Sequence, residues 1–228
     1  MCGCIATVFA LYGMPEMALL FIILGAVFDF FDGMSARLLH VSSEIGKELD
    51  SLADDVTFGV APASILFWML GVMDYPSFLE PLRDVLPFSA YIISAFSALR
   101  LAKFNLDTRQ TTSFIGLPTP ANALFWGALV VSFCNELVDS SYCVFLLLVG
   151  IVLSSWLLVA EIPMFALKFK QWGFKGNEIK YCFVGFSALA LVGSVAYGIV
   201  ADEVNKCYAG FAAIIIAYII VSIATQKK

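Results

Sequence analysis

Four aspartates with regular spacing stand near the facing ends of two long apolar runs. They lie within residues 29–54 and are Asp29, Asp32, Asp50 and Asp54. A carboxylate in a membrane segment is costly and usually marks a functional site. Because Arg37 and Lys47 are the only nearby cations, the four carboxylates would repel one another unless divalent cations neutralise them. Oxygen ligands suit Mg²⁺, Mn²⁺ or Ca²⁺, and two such ions can support a displacement at phosphorus.

Helical periodicity places the acidic residues on two stripes. At about 100° per residue, Asp29 and Asp32 share one face of a helix with small residues. This first stripe comprises Asp29, Asp32, Gly33, Ala36 and Arg37. The next helix carries Gly46, Asp50 and Asp54 at positions i, i+4 and i+8. We therefore expect a helical hairpin whose four carboxylates converge on one pocket. Structural ion pairs or a solvated loop are the alternative interpretation.

The composition predicts the elements that must hold this hairpin. The chain has 228 residues, of which 61% are hydrophobic and 14% are charged. A soluble domain of this size cannot bury so much apolar surface, so we expect an all-α, polytopic membrane helix bundle in one catalytic domain, residues 1–228. The apolar runs are 1–12, 17–38, 49–73, 86–104, 118–135, 141–160, 181–200 and 208–223. They predict about eight transmembrane helices, the first of them truncated because its run is too short to span a bilayer.

The distribution of Lys and Arg predicts the orientation of the bundle. Eleven of the 13 basic residues fall on the side of the aspartate hairpin. By the positive-inside rule, that side and both termini face the cytoplasm. The six cysteines show no metal-ligand spacing, and the single histidine, His40, offers no histidine-based metal site or base. We expect no nucleic-acid partner.

The hairpin contains the pattern Asp29-x2-Asp32-Gly33-x2-Ala36-Arg37-x8-Gly46-x3-Asp50-x3-Asp54. This pattern resembles the signature of the CDP-alcohol phosphotransferases. The resemblance implies a helical membrane fold and transfer of a substituted phosphoryl group from a CDP-linked donor to an alcohol, with release of CMP. It also implies two divalent cations, Mg²⁺ or Mn²⁺. Asp29, Asp32 and Asp50 would be the principal ligands, and Asp54 would be a ligand or the catalytic base. The residues implied to line the CDP pocket are Gly33, Ala36, Arg37 and Gly46.

Three further segments bear on the acceptor alcohol. Residues 46–63, 99–123 and 162–170 are similar to the branch of this family that transfers a phosphatidyl group from CDP-diacylglycerol to L-serine, whereas the last two spans, about 181–223, are less diagnostic. Because serine carries a carboxylate, its pocket needs a donor, and the candidates are Arg100, Asn105 and Arg109. The alternative for any of the basic residues is an anchor at the lipid headgroups. By analogy with the family, we expect contact with membrane lipids and a homodimer.

Two rival functions remain open at this point. Another member of the family would use glycerol 3-phosphate or an inositol phosphate, although such a dianionic acceptor calls for more arginines than the three in the predicted cytoplasmic loops. A protein of another class, a cation transporter, would use the same acids as an ion path. It would normally spread them over several helices at mid-membrane depth.

Overall fold

The structure, a computed structural model, describes residues 1–41, 43–106, 114–164 and 177–225. Its helices are α1 (Cys2–Leu11), α2 (Pro15–Leu39), α3 (Glu44–Asp54), α4 (Ala61–Val72), α5 (Ile92–Leu106), α6 (Thr119–Asp139), α7 (Cys143–Val159), α8 (Glu178–Val200) and α9 (Ala209–Ala224). A π-helical segment (Asp55–Val60) joins α3 to α4 without a break, so residues 44–72 form one helical rod. Short 3₁₀ segments at Glu80–Leu82, Leu86–Tyr91 and Val204–Tyr208 complete the helical structure of the described residues.

The predicted all-α membrane fold is confirmed. Within the described residues, each predicted apolar run overlaps one helical rod. Five rods are long and apolar enough to cross a membrane: Pro15–Leu39, Glu44–Val72, Thr119–Asp139, Glu178–Val200 and Val204–Ala224. The helix α1 has 10 residues, about 15 Å at 1.5 Å per residue, which is shorter than a span.

A small strand pair accompanies the helices. Strand β1 (Phe114–Ile115) pairs antiparallel with β2 (Pro163–Met164), with Phe114 opposite Met164. The pair is extended by a bond of 2.9 Å from the Gly116 amide to the Ile162 carbonyl. It therefore links the connection before α6 to the connection after α7.

The rod of residues 44–72 is the centre of the bundle. Eight of the 12 residues of its α4 portion are buried, and Ile65, Leu66 and Met69 pack fully inside the core. By contrast, α2 and α8 expose much of their apolar surface, as helices facing lipid do.

Small residues bring α1 and α2 close to the π-helical segment. A Cβ atom added to Gly3 or Gly25 would lie 2.7 Å or 2.5 Å from atoms of Thr57. Small residues at helix contacts allow such close packing in membranes. The contact fixes the depth at which the rod crosses α2, and with it the position of the aspartates just before the π segment.

Local signals set the ends of the acidic hairpin. Helix α2 begins at Pro15, which suits a first helical position, and it ends at Leu39, followed by His40 in the left-handed conformation with a φ of +54°. Ser43 caps α3, because its hydroxyl accepts a hydrogen bond of 3.1 Å from the Gly46 amide. Residues 40–43 alone therefore join the two helices, and the acidic faces of α2 and α3 are brought next to each other.

Candidate active site

Three of the predicted carboxylates lie together at the end of the hairpin. One oxygen from each of Asp29, Asp32 and Asp50 lies within 4.8 Å of the others. Asp29 is partly buried, and Asp32 and Asp50 are exposed. Among the residues that the structure describes, none of the three carboxylates forms an ion pair with Lys or Arg. We refer to these three residues as the aspartate cluster. It brings together three carboxylates, without a Lys or Arg partner in the described part of the chain, and their oxygen atoms are the ligand type that hard cations prefer.

Asp54 lies one helical turn beyond Asp50, outside the group of three. It is partly buried and interacts electrostatically with each member of the aspartate cluster. It also interacts with the positive charge of Arg100 on α5. Asp54 thus interacts both with the cluster and with a cation, and both of its predicted roles, metal ligand and catalytic base, remain open at this point.

The π-helical segment begins directly after Asp54. Such segments widen the helix by one residue and occur often at functional sites. One oxygen of Asp55 is buried and has no hydrogen-bond partner among the described residues. A Cβ atom at Gly59 would lie 2.5 Å from that oxygen, so the absence of a side chain at Gly59 leaves room for the carboxylate. The same Cβ would lie 3.0 Å from the Ser97 side chain, so this carboxylate oxygen lies near the contact of the rod with α5.

An open cavity of about 590 Å³ adjoins the aspartate cluster. The described residues that line it are Asp32, Gly33, Ala36, Val41, Ser43, Gly46, Lys47, Leu49, Asp50 and Ala53. Three of the four residues predicted to line a CDP pocket, Gly33, Ala36 and Gly46, are among them. Arg37, the fourth, is exposed in the last turn of α2 and is not among the described lining residues.

Gly46 has a structural role in addition to the one that the family pattern implies. The pattern implies that it lines a CDP pocket, and it does line the cavity. In the structure, a Cβ atom at Gly46 would lie 2.8 Å from the Ser43 hydroxyl that caps α3. The missing side chain therefore also protects the helix cap. At Gly33, by contrast, a Cβ would meet nothing within 4 Å, so the space above that residue is open.

Lys47 is a cavity residue to which the sequence analysis gave no binding role. Its ammonium donates a hydrogen bond of 2.9 Å to the main-chain carbonyl of Asn105, near the end of α5. The Asn105 side-chain amide in turn donates a bond of 2.8 Å to the Ser51 hydroxyl. These two bonds attach the end of α5 to α3. The signal in the sequence was the position of Lys47, directly after Gly46 and one turn before Asp50.

The three predicted acceptor residues have different surroundings. Arg100 is 7% exposed, and its Nε atom has no hydrogen-bond partner among the described residues. It interacts electrostatically with Asp54 and with Tyr218 on α9. Asn105 is engaged by Ser51 and so supports the contact between α3 and α5. Arg109 lies outside the described residues. Arg100 is therefore the candidate that the fold brings next to Asp54.

Comparison with known proteins identifies the class. The family model described as CDP-alcohol phosphatidyltransferase matches residues 1–167. The chain belongs to this family. The match ends before α8, so α8 and α9 lie outside it. Because the members of this family are transferases, the chain is an enzyme, and the alternative of a cation transporter is set aside.

Several curated relatives carry one name, CDP-diacylglycerol–serine O-phosphatidyltransferase. The protein of that name from Bacillus subtilis (strain 168) is 37% identical over 161 residues, which are 71% of this chain and 81% of the relative. The one from Methanocaldococcus jannaschii is 42% identical over 119 residues, 52% of this chain and 50% of the relative. The one from Saccharomyces cerevisiae is 41% identical over 124 residues, 49% of this chain and 41% of the relative. The chain thus spans about half or less of the archaeal and yeast proteins and most of the Bacillus protein.

Proposed function

We propose that this membrane enzyme transfers a phosphatidyl group from CDP-diacylglycerol to the hydroxyl of L-serine, giving phosphatidylserine and CMP. The observation that carries the proposal is the aspartate cluster, which lies beside a cavity of about 590 Å³ within the family's signature hairpin. That volume falls in the range of small-molecule sites, about 300–1,000 Å³. The shared name of the relatives supports serine as the acceptor.

The residues present fit a divalent metal site. Three carboxylates offer oxygen atoms within 4.8 Å of one another, and no lysine or arginine in the described part of the chain neutralises them. Asp29, Asp32 and Asp50 would hold Mg²⁺ or Mn²⁺, in keeping with the preference of these ions for oxygen ligands. The family pattern implies two such ions. When bound, they would supply positive charge that neutralises the diphosphate of the donor.

The protein's own residues account for the proton and the acceptor. Asp54 accepts the proton of the serine hydroxyl, since no histidine lies near and the chemistry requires a base. The serine oxygen forms a bond to the lipid-side phosphorus, and the bond from that phosphorus to the bridging oxygen breaks. The electron pair of the broken bond leaves with CMP. Arg100, buried beside Asp54, holds the serine carboxylate through charge-assisted hydrogen bonds.

The membrane setting follows from the donor. The acyl chains of CDP-diacylglycerol stay in the bilayer while its polar diphosphate lies at headgroup depth, where the hairpin ends. The distribution of basic residues supports a site and termini that face the cytoplasm. A homodimer in contact with membrane lipids, expected from the family, completes the proposal, and the mass of the detergent-solubilised protein tests it.

The decisive experiment measures CMP release by the purified protein from CDP-diacylglycerol. The acceptors are L-serine, glycerol 3-phosphate and an inositol phosphate, each tested with Mn²⁺, with Mg²⁺ and with a chelator. Of the three acceptors, we expect only L-serine to support CMP release. The chelator should abolish this release, and added metal should restore it. Release with a phosphorylated acceptor instead of serine would reassign the acceptor. Undiminished turnover in the presence of chelator would remove the metal from the proposal.

A further inference from the structure

The cavity beside the aspartate cluster carries one positive charge among its described lining residues, and that charge belongs to Lys47. The family signature directs attention to Arg37 as the cation for phosphate. Arg37 instead lies exposed at the end of α2, where a positive charge also interacts favourably with the helix dipole. The cavity therefore has a cation, supplied by α3 instead of α2.

The Lys47 ammonium has capacity for a ligand. An ammonium offers three donors, and the described hydrogen bond to the Asn105 carbonyl uses one of them. Lys47 forms no ion pair with a carboxylate in the described part of the chain. The contact of α3 with α5 does not depend on this residue alone, because the Asn105 side chain also bonds Ser51. A structural role thus leaves part of the lysine's bonding capacity unused.

The order of residues along α3 indicates which part of the donor would meet Lys47. Ser43 and Val41, at the turn of the hairpin, line the cavity together with Gly46 and Lys47 at the start of α3. Asp54 follows Lys47 by two helical turns, is not among the described lining residues of the cavity, and interacts electrostatically with Arg100. The acceptor side of the site is therefore the side of Asp54 and Arg100. The cavity at the hairpin turn remains for the polar, nucleotide half of the donor.

We propose that Lys47 binds a phosphate oxygen of the CMP half of the donor and remains bound to the CMP product. This inference rests on the proposed function, because it assigns the cavity to the nucleotide of a CDP-linked substrate. The ligand chemistry is that of a nucleoside monophosphate or diphosphate. A lysine suits it as a point charge that adds a charge-assisted hydrogen bond to a phosphate oxygen.

The test compares Lys47→Ala, Lys47→Gln and Lys47→Arg with Ser51→Ala as the matched control. Ser51 takes part in the same attachment of α5 to α3 but is not among the described lining residues of the cavity. The readouts are the KM for CDP-diacylglycerol, the KM for serine and the inhibition constant of CMP. We expect Lys47→Ala and Lys47→Gln to weaken CMP inhibition and raise the donor KM by about tenfold, the effect of losing one hydrogen bond to a charged group. Lys47→Arg should retain much of the CMP inhibition and of the affinity for the donor. In all three variants the KM for serine should stay within about twofold of that of the unaltered protein.

A second measurement uses the unaltered protein, so that the inference does not depend on variants that fold. Acylation of lysines by an amine-reactive reagent is followed by peptide mass spectrometry with and without CMP and Mn²⁺. We expect CMP to slow the modification of Lys47 and to leave that of Lys103, exposed on α5, unchanged.

Two results would overturn the inference while the proposed function stands. One is an active enzyme in which Lys47→Gln leaves CMP inhibition unchanged. The other is a Ser51→Ala variant that shifts the donor KM and CMP inhibition as much as Lys47→Ala does, because the lysine would then act through the position of α5. Absence of CMP release by the unaltered protein with every acceptor would instead refute the proposed function. In that case, slower modification of Lys47 in the presence of CMP would still show whether CMP binds in the cavity.

Discussion

Two groups of charged side chains lie near the two ends of α2, and their charges are compensated differently. Near the start of α2 is the Lys206 cluster, which consists of Lys206, Glu136, Glu203, Phe133, Asn205 and Glu16. Lys206 is 8% exposed, forms ion pairs with Glu136 and, at 3.7 Å, with Glu203, and lies 4.7 Å from the centre of the Phe133 ring. The Asn205 amide donates a bond of 3.2 Å to Glu16 on α2. Every partner needed to bury a lysine is supplied by the protein.

The aspartate cluster near the other end of α2 has no such partners among the residues that the structure describes. Its three carboxylates approach one another within 4.8 Å and form no ion pair in the described part of the chain. A buried charge is tolerated when it is paired, as Lys206 is. The comparison therefore separates a structural cluster, which connects the region before α9 to α6 and α2, from the aspartate cluster, whose charge we propose is neutralised by metal.

The largest expected effect comes from exchanging one carboxylate in each cluster. Asp50→Asn should lower CMP release by about a thousandfold, since a bound metal supplies several kcal/mol of charge stabilisation and each 1.36 kcal/mol is tenfold in rate. Its unfolding temperature without metal should stay equal to or above that of the unaltered protein, because one repelling charge is removed. Glu136→Gln should have the opposite effects: turnover per folded molecule should stay normal, and the unfolding temperature should fall. If Glu136→Gln lowered turnover as far as Asp50→Asn does, the distinction between a structural and a functional cluster would be wrong.

Asp54→Asn tests whether the fourth aspartate differs from the cluster. As the base, Asp54 should contribute about 10²–10⁴-fold to turnover. Because it lies outside the group of three, its loss should leave metal binding largely intact. The measurement is the rise in unfolding temperature with Mn²⁺, compared between Asp54→Asn and Asp50→Asn. Equal loss of the Mn²⁺ effect in both variants would make Asp54 a primary ligand.

Arg100 offers a smaller effect at the acceptor side of the site. Unlike Lys206, this buried cation has a guanidinium nitrogen without a partner among the described residues. Arg100→Gln should raise the KM for serine by about 10- to 100-fold through loss of hydrogen bonds to a charged group, and Arg100→Lys should recover part of it. The donor KM serves as the control and should change little. A rise in both KM values together would indicate that Arg100 supports the fold of the site.

The aspartate hairpin could be predicted from the sequence because it depends on the spacing of residues that are close together along the chain. Residues four apart on a helix share a face, so the spacing of Gly46, Asp50 and Asp54 determines a stripe without any knowledge of the rest of the fold. The start of α3 at Glu44 was harder to see, since its first two turns are polar and an apolar run locates only the later part. Ser43, whose hydroxyl caps α3 in the structure, is the residue type that could have located this start, but it was not used for that prediction.

The partners of single side chains could not be predicted in the same way. Lys47 bonds a carbonyl 58 residues away, and Lys206 bonds a carboxylate 70 residues away. Such contacts depend on how complete helices pack, and no local spacing encodes them. For the same reason, the sequence placed Arg37 in the nucleotide pocket on the strength of the family pattern, although the described lining of the cavity includes Lys47 instead. The roles assigned to these residues remain predictions for the experiments above.

Lys206→Met gives the smallest expected effect and the sharpest test of the structural cluster. Removing one partner of a buried ion pair costs about 3–5 kcal/mol, and exposed pairs contribute about 1 kcal/mol or less. The lysine is buried but the Glu136 side chain is 56% exposed, so we expect a loss of about 2 kcal/mol, seen as a lower unfolding temperature. Methionine keeps the apolar contact with Phe133, and combining Lys206→Met with Glu136→Gln should then cost little more than Lys206→Met alone. Strictly additive losses would mean that the two side chains stabilise the bundle independently, and that the pairing of charge is not what distinguishes this cluster from the aspartates.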